Sequence, residues 1–310
     1  MKISVVIVTY NSRQLIDRCL RPFLTCERGD VQVVIWDNNS TDGTFSYVKD
    51  HYPQFELRGG RDNLGFAAGN NAAFLHCDGD YVLLLNPDAF LENFEQVTAL
   101  ARALDTSPDV AAVGPMLINA DGSHQVGDAG WAHRLANVAG HFFFLHHVSR
   151  RFKSIYLTNS SLFSEDRVDV GWICGACMMV RHNVIREVGG MDDGIFMYGE
   201  DVEWAERMRH AGHRLLYIPK IKVLHMQGGT QKDNEATLFV SRKWIDALSK
   251  ELSRSSPRWK FIVFKMILAL GFLARMVIYS VLDIVGRRRS FARSRAMYDY
   301  FTHSLTLKQT

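Results

Sequence analysis

The sequence predicts an α/β domain built on a mostly parallel sheet flanked by helices, followed by a basic helical tail. Three observations predict it. Short apolar, β-branched runs alternate with helix-period segments in the first third of the chain. Each run stops at a polar, turn-forming cluster, and in parallel sheets ligands bind beyond such strand ends. Beyond residue 235 the pattern changes to helical periods interrupted by Lys and Arg.

The elements follow in order. Ile3 to Val8 reads as a buried strand ended by Thr9-Tyr10-Asn11-Ser12, and this apolar stretch is too short for a secretory signal. Asn11 or Ser12 is placed to cap a helix carrying Leu15, Ile16, Cys19, Leu20 and Phe23. Val31 to Trp36 is the second strand, ended by Asp37-Asn38-Asn39-Ser40, and Thr41-Asp42-Gly43-Thr44 opens another helix. Tyr81 to Leu85 is a further strand, stopped by Asn86-Pro87-Asp88. Residues 119–167 show no steady period and read as a connecting excursion, either a lid over an acceptor or a surface loop with a small helix. Core-like sequence resumes at Val168 and runs to His225.

Composition narrows the class. The chain has 310 residues, and 47% apolar content supports a real core. A net charge of +3 gives no ground for a nucleic-acid partner, although Lys and Arg crowd after Arg254, most tightly at Arg287-Arg288-Arg289. Five cysteines without framework spacing read as reduced thiols in a cytosolic compartment. Cys174 and Cys177 form a lone C-x-x-C lacking the second pair that zinc would need.

Candidate chemistry centres on Asp37, Asp42, Asp88, Glu200 and Asp201, each placed after an apolar run. A nucleotide-sugar site needs an acceptor for the base, a divalent cation on the pyrophosphate and a carboxylate to take a proton. Asp88 suits the metal and Asp37 the base or ribose, while each alone would equally be a turn former or helix cap. The small residues of Gly65-Phe66-Ala67-Ala68-Gly69 permit close approach of a ligand or of a neighbouring element. They are not a P-loop, because the Gly-Lys-Ser/Thr end is missing. Glu200-Asp201 at a helix start is stabilised by the helix dipole whatever else it does. Arg207 reads as a pyrophosphate contact or as a helix-surface ion pair.

Taken together, Val5 to Asn11, Asp37-Asn38-Asn39-Ser40-Thr41-Asp42-Gly43, Asn63-Leu64-Gly65-Phe66-Ala67-Ala68-Gly69-Asn70 and Asn86-Pro87-Asp88 resemble the family 2 glycosyltransferases, most of all their bacterial rhamnosyltransferase branch. The resemblance covers roughly residues 3–230. It implies a GT-A fold over residues 1–235, with a nucleotide-binding half (1–118) and an acceptor-binding half (119–235). It implies that Thr9, Tyr10, Asn11, Asp37, Asn63, Gly65, Phe66 and Asn70 line the nucleotide. Asn86 stands where many members have the first Asp of Asp-x-Asp, which leaves Asp88 as the one strong ligand for Mg²⁺ or Mn²⁺. His225, after the last core strand, completes the metal shell, and Gly228-Gly229 forms a turn closing over the donor. Trp172, Gly175 and Ala176 lie on the acceptor side. Asp201 is the general base and Glu200 orients it. The implied reaction is inverting transfer from a nucleotide diphosphate sugar, dTDP-rhamnose by branch, to a lipid-linked saccharide in cell-envelope polysaccharide assembly. A non-catalytic nucleotide-sugar binder of the same fold is the alternative, supported by Asn86.

In the tail (236–310), Arg258, Lys260, Lys265, Arg275, Asp283 and Arg287 fall on one half of a helix at 100° per residue, with Phe, Ile, Leu, Val and Met on the other. Basic residues interrupt the apolar stretches before the ~18 residues expected of a span. An amphipathic helix in the interface of the inner membrane's cytoplasmic face is the expectation. A helix packed on the catalytic domain or on a second subunit, and a true span, are the alternatives.

Overall fold

The computed structural model describes residues 1–26, 29–149, 151–226, 242–286 and 292–309. Arg287-Arg288-Arg289 and Gly228-Gly229, singled out above, lie outside the described residues. The chain divides into two units: residues 1–130 with 158–233, and residues 131–157 with 234–310.

The first unit begins as the pattern predicts. Strand β1 (Ile3–Thr9), helix α1 (Ile16–Leu20), β2 (Val31–Asp37), α2 (Thr44–His51), β3 (Glu56–Gly59), α3 (Gly65–Phe74) and β4 (Tyr81–Leu85) alternate. Then follow β5 (Ala89–Phe90), α4 (Phe94–Asp105), β6 (Val110–Ile118) and β7 (Ala129–Gly130). A sheet of nine strands, among the described residues, runs β3-β2-β1-β4 with every pair parallel. Its side chains at Val5, Ile7, Ile35 and Leu83 are inaccessible to water. Each such burial stabilises by roughly 1.5–3 kcal/mol.

Two helix starts differ in detail from the expected capping. At α2 the N-cap is Gly43, and Asp42 just before it accepts the Thr44 N–H at 3.0 Å. At α1 the Ser12 backbone carbonyl, not a side chain, accepts from Leu15 and Ile16. The Ser12 hydroxyl instead meets the Tyr10 backbone, and Asn11 is in the left-handed region at φ 52°.

Residues 131–157 depart from the expected acceptor half. Their helices α5 (Leu135–Phe142) and α6 (Leu145–Val148) belong to the second unit. The first unit resumes with β8 (Val168–Val170), β9 (Trp172–Ile173), β10 (Cys177–Arg181), α7 (His182–Val188), α8 (Glu200–His210) and β11 (Arg214–His225). Strand β10 enters antiparallel between β4 and β6, and β11 closes the sheet, parallel to β6 and antiparallel to β5.

Gly65, first residue of α3, has φ +82°, and a Cβ there would stand 2.5 Å from the Phe196 carbonyl oxygen. Only glycine meets both conditions. Gly65→Ala is expected to destabilise by about 1–3 kcal/mol, read as a lower urea midpoint at unchanged slope.

The second unit packs α5 on α10 (Arg258–Val285), with α9 (Arg242–Ser255) and α11 (Ala292–Thr306). Phe142 meets Phe272 edge to face at 4.9 Å, which is why residues 131–157 fold with the tail. Helix α10 corrects two expectations. It runs unbroken for 28 residues and is long and apolar enough to cross a membrane by length and composition, with 33% of its most apolar window buried in the protein. Arg258 and Lys260 are exposed at its start, while its later basic residues Lys265 and Arg275 turn inward. Arg275 donates to the carbonyls of His141 and Phe142 at the end of α5, and Lys265 to those of Leu305 in the last turn of α11 and of Leu307 just after it. Asp283 is buried. The outer face is Trp259, Ile262, Met266, Leu270, Leu273, Val277 and Val281, all exposed. Arg275 and Lys265 turn inward because carbonyls at helix ends supply acceptors for them.

Candidate active site

The turn after β4 builds the first corner. Asn86 N–H donates to the Ala176 carbonyl at 2.8 Å, and Ala89 N–H to the Asn86 carbonyl at 3.0 Å. Asp88 is thereby delivered just before β5. Strand β5 pairs with the end of β11, with Ala89 opposite His225, and Met226 N–H donates to the Asp88 carbonyl. This pairing brings His225 Nε2 to 3.3 Å from Asp88 Oδ1, both side chains buried. Cis ligands of one hard divalent cation stand roughly 3 Å apart, so the two atoms fit a shared ion. No group of three or more His, Cys, Asp or Glu among the described residues could hold a metal. A cation held by this pair would complete its shell with water and, when substrate is bound, with diphosphate oxygens, as Mg²⁺ and Mn²⁺ commonly do. Asn86 is half-buried at the same turn.

The second corner adjoins it. Gly175, next to Ala176, donates its N–H to Asp201 Oδ2 at 3.1 Å, and Asp201 Oδ1 accepts the Val202 N–H at 2.8 Å. A Cβ on Gly175 would lie 2.9 Å from the Phe66 ring, so Phe66, Gly175 and Asp201 meet. Left-handed Tyr198 (φ 73°) and Gly199 (φ 99°) turn the chain so that Glu200 and Asp201 open α8. Glu200 is buried with Oε2 lacking a hydrogen-bond partner. That burial, with the Asp201 charge beside it, pushes the Glu200 carboxyl up to about 8. Glu200 is thus disposed to keep its proton near neutrality, beside Asp201 held by two backbone amides.

A raised carboxyl has a defined effect on stability. The unfolded chain releases the Glu200 proton at its ordinary, lower pKa, so this contribution is full in acid and is lost as pH rises toward about 8. Glu200→Gln is expected to flatten the fall of melting temperature between those limits, measured by calorimetry across pH.

The nucleotide-side residues separate by burial. Thr9, Asp37 and Asn70 are almost wholly buried. Asp37 accepts from the hydroxyls of Thr9 and Ser40 and from the Ser40 N–H, locking the loops after β1 and β2 together. Asn70 donates to the Phe66 carbonyl within its own helix, and Gly69 lies against Val8, so close packing accounts for the small residues. Asn63 Oδ1 accepts the Gly65 N–H at the start of α3. Tyr10 and Asn63 are exposed and Asn11 and Phe66 half-buried, and these are the side chains that reach solvent, with the Asn11 amide oxygen already accepting from Thr41 and that of Asn63 from Gly65. Trp172 and Ala176 are buried beside the Gly175–Asp201 corner.

Arg207 is not left for a phosphate. It binds both carboxylate oxygens of Glu203 and donates to the carbonyls of Val188 and Gly190, which employs all but one of its N–H groups. Periodicity gave no signal for Gln125 or Asp128, yet both support the site. Asp128 accepts from the Leu117 N–H and the Tyr217 hydroxyl and pairs with His124, and its carbonyl accepts the Cys174 N–H. All five cysteines are free. A depression on the helical unit, lined by Asp246, Lys250, His303 and Leu307 among others, brings none of the candidate site residues together.

The family described as glycosyl transferase family 2 matches residues 4–189. The N-acetylglucosaminyl-diphospho-decaprenol L-rhamnosyltransferase of Mycobacterium tuberculosis is 30% identical over 78% of this chain and 81% of its own. Rhamnosyltransferase WbbL of Escherichia coli is 24% identical over 78% and 89%. Among solved structures, the Pyrobaculum calidifontis mannosyltransferase PcManGT, in complex with GDP-Man and Mn²⁺, superposes with a TM-score of 0.58 at 16% identity, covering 98% of this chain and 86% of that one. GalNAc-T7 with UDP, GalNAc and Mn²⁺ gives 0.59 at 14% identity, covering 81% and 48%.

Proposed function

The chain belongs to glycosyl transferase family 2 and has the GT-A fold, and from that premise we propose that it is an inverting rhamnosyltransferase using dTDP-rhamnose and a lipid-linked saccharide. The observation that carries the reading is the adjacency of the two corners. The Asn86-Asp88 turn is hydrogen-bonded to the Ala176 backbone, and the neighbouring Gly175 holds Asp201. The donor and acceptor classes rest on the mycobacterial and E. coli relatives, whose names give rhamnosyl transfer and, for the former, a diphospho-decaprenol carrier.

In this reading Tyr10, Asn11 and Asn63 receive the nucleoside, and Asn86, Asp88 and His225 face the diphosphate. A divalent cation held by Asp88 and His225 would supply charge neutralisation of the leaving diphosphate. Asp201 takes the proton of the acceptor hydroxyl, whose oxygen bonds to the anomeric carbon as the bond to the diphosphate oxygen breaks on the opposite face. Phe66 and Gly175 shape the acceptor approach. Protonated Glu200 adds no second negative charge beside Asp201.

Membrane association belongs to the same proposal. The outer stripe of α10 from Trp259 to Val281 would lie in the cytoplasmic interface, with Arg258 and Lys260 toward headgroups. Its other face is covered by α5 and α11, which favours a helix lying in the interface over one that spans. Leu270→Glu with Val277→Glu is expected to release most of the protein from liposomes in a sedimentation assay, with folding unchanged by circular dichroism.

Turnover with UDP-, GDP- and dTDP-sugars, with Mn²⁺ and then with chelator, tests the donor assignment. Metal-dependent release of dTDP only from dTDP-rhamnose supports it; preference for another nucleotide sugar refutes the rhamnose reading.

A further inference from the structure

The imidazole of His225 is gripped from behind. Its Nδ1 lies 2.6 Å from Gln125 Oε1, and Gln125 Nε2 lies 3.2 Å from the His225 backbone carbonyl oxygen. A backbone carbonyl only accepts, so the amide nitrogen of Gln125 must face it. The amide oxygen must then face Nδ1, which can only be a donor there. Asn119 accepts a second hydrogen bond from Gln125 Nε2 at 3.1 Å and fixes the same orientation. The hairpin after β6 carries Gln125 to this place, through the bond of its N–H to the Leu117 carbonyl at 2.9 Å. Strand β6 is the parallel neighbour of β11, so the sheet itself aligns Gln125 behind His225.

We infer that Gln125 is a positioning residue that holds His225 in the Nδ1–H tautomer, leaving the Nε2 lone pair aimed with Asp88 Oδ1 at a divalent cation. The inference rests on the reading that Asp88 and His225 bind that cation. A ring with its proton on Nε2 could not ligate, and a freely rotating ring would ligate less often. Metal-binding histidines are commonly oriented in this way through their second nitrogen.

The test uses the full chain and Mn²⁺ alone, with binding read by the EPR signal of the free ion. Gln125→Met keeps the length of the side chain but removes both amide bonds, and is expected to weaken Mn²⁺ binding about 10–100-fold. Gln125→Glu keeps an oxygen acceptor against Nδ1 and should bind much closer to wild type than the Met variant does. A role in packing alone would make the two variants alike. In unaltered protein, ¹⁵N NMR at alkaline pH should show His225 protonated on Nδ1 and bare on Nε2, its signal identified by loss in His225→Ala. Wild-type Mn²⁺ affinity in Gln125→Met, or an Nε2-protonated His225, overturns the inference. If His225→Ala also leaves Mn²⁺ affinity unchanged, the metal-pair reading falls with it; if His225→Ala alone weakens binding, only the role of Gln125 is lost.

Discussion

Asp201→Asn is expected to lower kcat by about 10²–10⁴-fold while the affinities for nucleotide sugar and Mn²⁺ stay near wild type. The amide keeps an oxygen to accept from Gly175, so the turn at the start of α8 should survive. What it loses is the ability to take a proton. Glu200 does not replace it, because its carboxyl is buried, one of its oxygens lacks a hydrogen-bond partner, and burial still favours the protonated form once the Asp201 charge is removed. Steady-state kinetics with equilibrium binding in parallel checks the split. Loss of donor binding along with turnover would move Asp201 from proton transfer to nucleotide recognition.

Asp88→Asn has the second large effect. Asn86 already stands where a second carboxylate could have served, so Asp88 is the remaining charged ligand at this turn. Mn²⁺ affinity should fall at least about tenfold and turnover on the order of 10²-fold or more. The change should be partly offset by raising Mn²⁺, since mass action refills a weakened site. The variant should fold, because the Met226 N–H bonds to the backbone carbonyl of residue 88 and not to its side chain. Turnover insensitive both to this change and to chelator would remove the metal from the account.

Much of the fold was legible because strands announce themselves locally. Ile3 to Val8, Val31 to Trp36 and Tyr81 to Leu85 are short β-branched or Leu runs, each closed by a turn cluster, and each is a strand of the sheet. The antiparallel entry of β10 between β4 and β6 was not legible, since pairing order depends on contacts far apart in sequence. The same holds for residues 131–157, whose aromatic side chains read as a loop until Phe272 and Phe264 supply the surface they bury against.

The site shows the same division. Asp88, Glu200 and Asp201 stand at element ends, where turn chemistry marks them. Which exposed residues remain for a ligand follows only from the bonds that employ the rest: Asp37 is taken by Thr9 and Ser40, and Arg207 by Glu203 and the loop before α8. Gln125 has no sequence signal, because its role comes from lying opposite the last residue of β11. Periodicity split α10 into two halves but could not say which faced outward. The carbonyls ending α5 and following α11 decided that by drawing Arg275 and Lys265 inward.

We propose single-displacement transfer at the Asp88–His225 and Asp201 corners. Its most direct test is the NMR-determined anomeric configuration of the product formed from ¹³C-labelled dTDP-rhamnose and an N-acetylglucosaminyl diphosphate polyprenol, with Mn²⁺ present. Single displacement gives a new glycosidic bond of configuration opposite to that in the donor, formed by wild type and nearly absent in Asp201→Asn. A product that retains the donor's configuration, or equal transfer by the Asp201 variant, would contradict it.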